Sequence, residues 1–368
     1  MSFKKICWLF GVPLAAFAGI IFYLYGHQLG EISNHDGPWS SFGSLLSGVF
    51  TLVGAVATIG TLLFLSQQNK DMQKVTQAQL DTLTFERYLN HRKLFTDHLN
   101  ELVAVHKNIF QFRDPSHLYN SIFTSNSPHH CSFSVPPSYD GDGVGTNHIG
   151  TMLVKLKRLK EFFDKTDFKD SEREELLILL IGLASDIFMI EPVGSQREGD
   201  VCLYSVSYGF NIFSLEHFVE PCLSIANMIL RFTNNDLIDS CAFKPRSKFV
   251  REALMKRYLS SANHGSVNIK RIINGVPVFA HVFFAARELH DGEGFLFPSA
   301  NQLLNVSFSS AHAVNLFSDD DYFSNLLDLC LNEVSEELEM MTSRDEHYLE
   351  VVRIQNHLIS LIDHEQSK

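Results

Sequence analysis

Residues able to hold a metal crowd one short stretch: His117, His129, His130, Cys131 and His148. Imidazole and thiolate together suit zinc, but a structural site needs ligands at the spacing of a finger or on one helix face. This spacing matches neither a finger nor an H-E-x-x-H helix, so no metal is assigned. The cluster Gly141, Gly143 and Gly145 lacks the preceding strand and following helix that a dinucleotide fingerprint requires. Neither a G-x-x-x-x-G-K-[ST] phosphate loop nor a G-x-S-x-G elbow occurs. His290-Asp291 with Glu293 reads as a helix end at Gly292, and Asp319 to Asp321 as a helix start favoured by capping and by the helix dipole. The expectation is a chain with no catalytic residue, no cofactor and no metal, hence not an enzyme.

Charge offers a second kind of chemistry. Ala242 to Ile273 carries Lys244, Arg246, Lys248, Arg251, Lys256, Arg257, Lys270 and Arg271 against one acid, Glu252. Lys and Arg neutralise phosphates and release counterions, and Phe249 and Tyr258 lie among them, so the block is a candidate nucleoprotein-binding surface. Anionic lipid is an alternative partner, and a merely solvated face another. Ser318 to Lys368 is the opposite, with thirteen acids and three bases within a chain of formal net charge −12. The block and the tail can bind each other, or each an outside partner.

What positions these residues starts with two apolar runs, Ile6 to Tyr25 and Phe42 to Leu65, free of Asp, Glu, Lys, Arg and His. About twenty apolar residues cross a hydrocarbon core about 30 Å thick, and in lipid only a helix satisfies its own backbone. The runs predict an N-terminal transmembrane hairpin, residues 1–65. Bulky Phe22, Tyr23 and Tyr25 stand where a signal-peptide cleavage site would need small residues, which favours retention. Lys4 and Lys5 precede the first span and Lys70 and Lys74 follow the second, while Gly26 to Ser41 has neither Lys nor Arg. By the positive-inside rule both termini are cytoplasmic. The second span carries Ser44, Ser47, Gly48, Thr51, Gly54, Ala55 and Thr58 at small-xxx-small spacing. Such a stripe lets another helix backbone approach, either the first span or a second copy of the chain.

No Gly or Pro occurs between Thr61 and Asp114, so the second span is expected to continue as a helical stalk over 66–114, ending at Asp114-Pro115. Residues 115–368 predict a cytoplasmic, mainly helical domain, irregular at first because of Pro128, Pro136 and Pro137. Helices are expected over Thr151–Asp164, Glu172–Ile190 with a Ser171/Glu174 capping box, Phe210–Phe232, Arg246–Leu259 and Pro277–Glu288. Asp319–Ile362 is expected to be helical with a break at Met341-Thr342-Ser343, and Glu191–Tyr208 to be loop or short strand. The fold class is therefore mainly α. Six cysteines without a C-x-x-C pair imply reduced thiols, and most of the thirty-one phenylalanines read as core.

One stretch resembles a known family. Asp36-Gly-Pro-Trp-Ser-Ser-Phe-Gly43, the Gly/Ser/Thr-rich span, Gln67-Gln68 and Phe85-Glu-Arg-Tyr-Leu-Asn-His-Arg-Lys-Leu-Phe95 follow in the order of phage abortive infection membrane proteins. Within that group they are most similar to two-span effectors encoded beside bacterial retrons. The likeness covers roughly residues 6–99, with loose motifs. It implies an inner-membrane, multi-pass protein of anti-phage defence. Such an effector is restrained by a reverse transcriptase with its RNA–DNA hybrid, and on release it damages the membrane. The lipid bilayer and a homo-oligomer are the other expected partners. The alternatives from the residues are a membrane-tethered nuclease or nucleotide hydrolase with an unfamiliar site within residues 115–300, and a membrane scaffold.

Overall fold

The computed structural model describes residues 3–29, 36–204, 206–243, 247–259, 267–289 and 296–366. The chain is mainly helical, with twelve α-helices and five short strands among the described residues. It divides into two compact units, Met1–Glu86 and Arg87–Lys368.

The first unit contains α1, Phe3–Leu29, and most of α2, Asp36–Val105. α2 runs unbroken for 70 residues because nothing in its sequence interrupts the i to i+4 ladder. Tyr25 Oη donates to the Pro38 carbonyl at 3.0 Å, and the Phe42 ring lies 5.4 Å from Tyr25 and 6.3 Å from Phe22. Further along, Phe17, Ala18 and Ile21 face Leu45, Val49 and Leu52. Late residues of α1 thus meet early residues of α2, so the two run antiparallel. Pro13 sits inside α1 without ending it.

The second unit begins with the last turns of α2, where His91, Phe95 and Leu99 are buried. α2 ends at Val105, nine residues before the expected stop. Lys107 and Asn108 take φ of +56°, and the Asn108 N–H returns to the Val103 carbonyl at 2.9 Å, closing the helix with no Gly or Pro. Asp114 is instead the N-cap of α3, Pro115–Ile122, accepting from the His117 N–H at 2.9 Å. A segment expected to be irregular is therefore helical, with proline at its first turn.

β1, Phe110–Phe112, pairs antiparallel with β2, Ile190–Pro192. β3, Asp200–Leu203, lies between β4, Val206–Asn211, and β5, Val267–Ile269, all antiparallel. α4, His148–Phe163, is capped by the Asn147 side chain. α5, Asp170–Gly182, ends in a π-turn over Leu183–Ile187. Its capping carboxylate is Glu172, which accepts from the Lys169 N–H at 3.0 Å, two residues before the expected box. α6, Glu216–Phe232, starts later than its apolar run suggests because Phe210 and Asn211 belong to β4. α7, Ser247–Leu259, and α8, Val276–Glu288, fall where the sequence puts them. The expected closing signal Asp291-Gly292 lies outside the described residues.

Then follow α9, Pro298–Ser307, the short α10, Ala311–Asn315, α11, Asp320–Met340, and α12, Tyr348–Gln366. α11 is capped by Asp319, and the break after Met340 is the one the sequence suggests. Glu333 of α11 accepts from the Ser299 and Ala300 N–H groups at 3.0 and 2.9 Å, satisfying the first turn of α9. Aromatic packing holds the start of this unit: Phe95 is 5.6 Å from Tyr119 and 5.3 Å from Phe232, ring to ring. Phe95→Ala is expected to cost about 3–5 kcal/mol of unfolding free energy, read from urea denaturation of the full chain.

Candidate functional site

Most of the small-residue stripe lies away from the contact between α1 and α2, but Gly48 lines that contact with Phe17, Ala18 and Ile21. By the 3.6-residue period Ser44, Ser47, Thr51, Gly54 and Thr58 lie largely opposite Leu45, Val49 and Leu52, and all five are exposed. Gly48 and Ala55 flank the stripe, and a Cβ placed on Gly48 or Gly54 would meet nothing within 4 Å. Thr51 and Thr58 each donate to a carbonyl one turn earlier at 2.8 Å, so neither hydroxyl needs an outside partner.

The basic block sits on α7 and β5, and most of its charges have partners within the second unit. Arg251 lies 3.7 Å from Glu216 and donates to the Ser309 carbonyl, and Arg257 lies 3.1 Å from Glu174. Lys256 pairs with Glu288, and Lys248 is 3.9 Å from Glu252, which Arg287 also holds at 2.6 Å. Arg271 stacks over the Tyr258 ring at 4.8 Å. Lys270 is exposed and, among the described residues, has no side-chain partner. Lys244 and Arg246 lie outside the described residues. The described ion pairs of the block therefore go to Glu174, Glu216, Glu252 and Glu288, none of them in the acidic tail. From that tail, Glu350 holds His281 at 2.9 Å.

The histidine-rich stretch gathers no group of three metal-ligating side chains among the described residues. Ser121 Oγ and His148 Nδ1 share a hydrogen bond of 3.2 Å, and Cys131 accepts a weak contact from Asn126.

Sequence reasoning missed a buried polar cluster. Glu198 is 1% exposed and accepts from Tyr258 Oη at 2.5 Å and from the backbone N–H groups of Ile272 and Ile273. Asp200 accepts from Asn211 Nδ2 at 2.8 Å, and that amide also donates to the Glu198 carbonyl. Burial, with the Glu198 charge beside it, pushes the Tyr258 phenol far above its usual range, so it remains a donor. The legible signal was Glu198-Gly-Asp200 opening an apolar strand, where acids must find donors.

Asp200 and Asn211 also line a cleft of about 410 Å³ within the second unit, bounded by the end of α2, the β1–β2 ribbon, the loop after β2 and the start of α6. It contains Lys107, Arg197, His106 and His217.

No family model, no curated protein and no solved structure matches the chain.

Tyr258→Phe removes one donor from a buried carboxylate and is expected to cost about 1–3 kcal/mol in urea denaturation at pH 7. His148 supplies a pH dependence. Burial lowers its pKa from 6.5 to about 4, so between those values the unfolded chain binds a proton that the folded chain refuses. Stability is expected to fall with pH from 6.5 towards 4, and His148→Gln to flatten that slope.

Proposed function

We propose that this protein is a non-enzymatic membrane effector of bacterial anti-phage defence. The observation that carries the membrane part is the first half of α2. It contains an 18-residue window of mean hydropathy 2.1 with none of that window buried. Such a surface is costly in water and at home in lipid. α1 and α2 form the hairpin, with both termini in the cytoplasm and the loop between them outside, as the lysine distribution supports. The exposed stripe of Ser47, Thr51, Gly54 and Thr58 then serves helix contact with a second copy. The resemblance supplies the rest. A reverse transcriptase with its RNA–DNA hybrid restrains the effector, and release by infection lets it disrupt the inner membrane and stop growth.

Induction of the full chain alone is expected to collapse the membrane potential of the host, measured with a potential-sensitive dye. Gly48→Leu with Gly54→Leu is expected to abolish this while the protein still accumulates in the membrane. A Cβ at either position meets nothing within 4 Å, and a leucine there blocks close helix approach. Residues 70–368 without the hairpin are expected to be harmless. Normal potential during strong expression, or toxicity of that fragment, overturns the proposal, the latter in favour of a tethered enzyme.

A further inference from the structure

We infer that α2, beyond its membrane span, pairs in parallel with α2 of a second copy of this chain, through one uncharged face within residues 65–83. The inference rests on the membrane placement proposed above and adds to it a contact outside the bilayer.

Residues 61–83 are all exposed, so the described residues leave this stretch of helix without packing. It is nevertheless not polar all round. By the 3.6-residue period Leu65, Asn69, Met72, Thr76 and Leu83 fall within one arc of about 60°. Met72 is 57% exposed and Leu83 is 53% exposed. Lipid does not cover this arc, because Lys70, Asp71 and Lys74 share its turns and charge is costly in hydrocarbon. A helix in water gains most of its stability by packing such a face.

The charge pattern names the occupant. The charged residues of this stretch are Lys70, Asp71, Lys74 and Asp81, and all four lie more than about 120° from the centre of the arc. They are tied into their own helix. Asp71 accepts from Gln67 at 3.2 Å and lies 3.7 Å from Lys74, and Asp81 accepts from Gln77 at 2.9 Å. A face without charge meets its own copy with no like-charge repulsion, whereas a basic or acidic partner finds nothing there to pair with.

Asn69 adds the direction. In a parallel, in-register pair the two copies of Asn69 meet and hydrogen-bond, as a single core Asn does in fixing the register of coiled coils. Two copies inserted in one bilayer with the same topology also run parallel. The arc extends back through exposed Thr58, Thr51 and Ser47, so one straight contact reaches from the span into the stalk. Its length from Ser47 to Leu83 is roughly 54 Å.

The test is disulfide trapping in membranes of cells expressing the full chain, with one cysteine added at a time and copper phenanthroline as oxidant. The unsubstituted chain, with its own six cysteines, sets the background. Met72→Cys, Thr76→Cys and Leu83→Cys are expected to give at least tenfold more dimer on non-reducing gels than Lys74→Cys, Gln77→Cys and Asp81→Cys. Trapping needs the two Cβ atoms within about 4.5 Å, which only facing positions reach. Equal trapping on both faces, no dimer above background, or trapping to a protein of another size overturns the inference. Normal membrane potential together with strong trapping on the arc leaves the pairing standing and overturns the proposed function. Collapse of the potential with no trapping does the reverse.

Discussion

A helix satisfies its own backbone whatever surrounds it, and the rest of this molecule depends on that property along α2. The same 70-residue helix carries an exposed apolar first half and ends with His91, Phe95 and Leu99 buried among aromatic rings. A strand or an irregular segment would need different hydrogen-bond partners in each setting. With its backbone bonds internal, α2 passes from one compact unit into the other without a break, and only its side chains register the change. Ser47, Thr51 and Gly54 are exposed, and Phe95 lies in a packed core.

In the second unit charge is used internally. A carboxylate buried as deeply as Glu198 persists only when donors surround it, and Tyr258 with two backbone N–H groups does so. That cluster joins the loop before β3, the end of α7 and the segment between β5 and α8. Glu333 plays a similar part at the start of α9. Within the block rich in lysine and arginine, Arg251 and Arg257 are drawn to Glu216 and Glu174 from other helices, while Lys270 stays exposed. At the end of α2 the cleft is lined by acids and bases together, Lys107 and Arg197 with Glu191, Asp200 and Glu220.

Much of the fold was legible where local physics is decisive. The apolar periodicity of α4, α7 and α8, the Asp319 cap and the break after Met340 all depend on neighbours within one or two turns. The strands were legible only as the loop or short strand expected over Glu191–Tyr208, which holds β3 and parts of β2 and β4; their pairing was not. β1 and β2 pair Gln111 with Glu191 across eighty residues, and three-residue runs carry too little alternation to announce themselves. The end of α2 was misplaced for a related reason. Lys107 and Asn108 close it in a left-handed conformation that glycine normally signals, so the sequence offered only the later Asp114-Pro115.

By itself the sequence determined that α1 and α2 are long apolar helices and that the remainder is mainly helical, because length and periodicity act through contacts near in the chain. It also determined which residues of α2 are small. Only the tertiary structure decided that most of this stripe lies away from α1, that Glu198 is a buried acceptor, and that Lys107 and Arg197 share one cleft. Those facts rest on contacts between residues far apart in the chain, and spacing along a sequence carries no record of them.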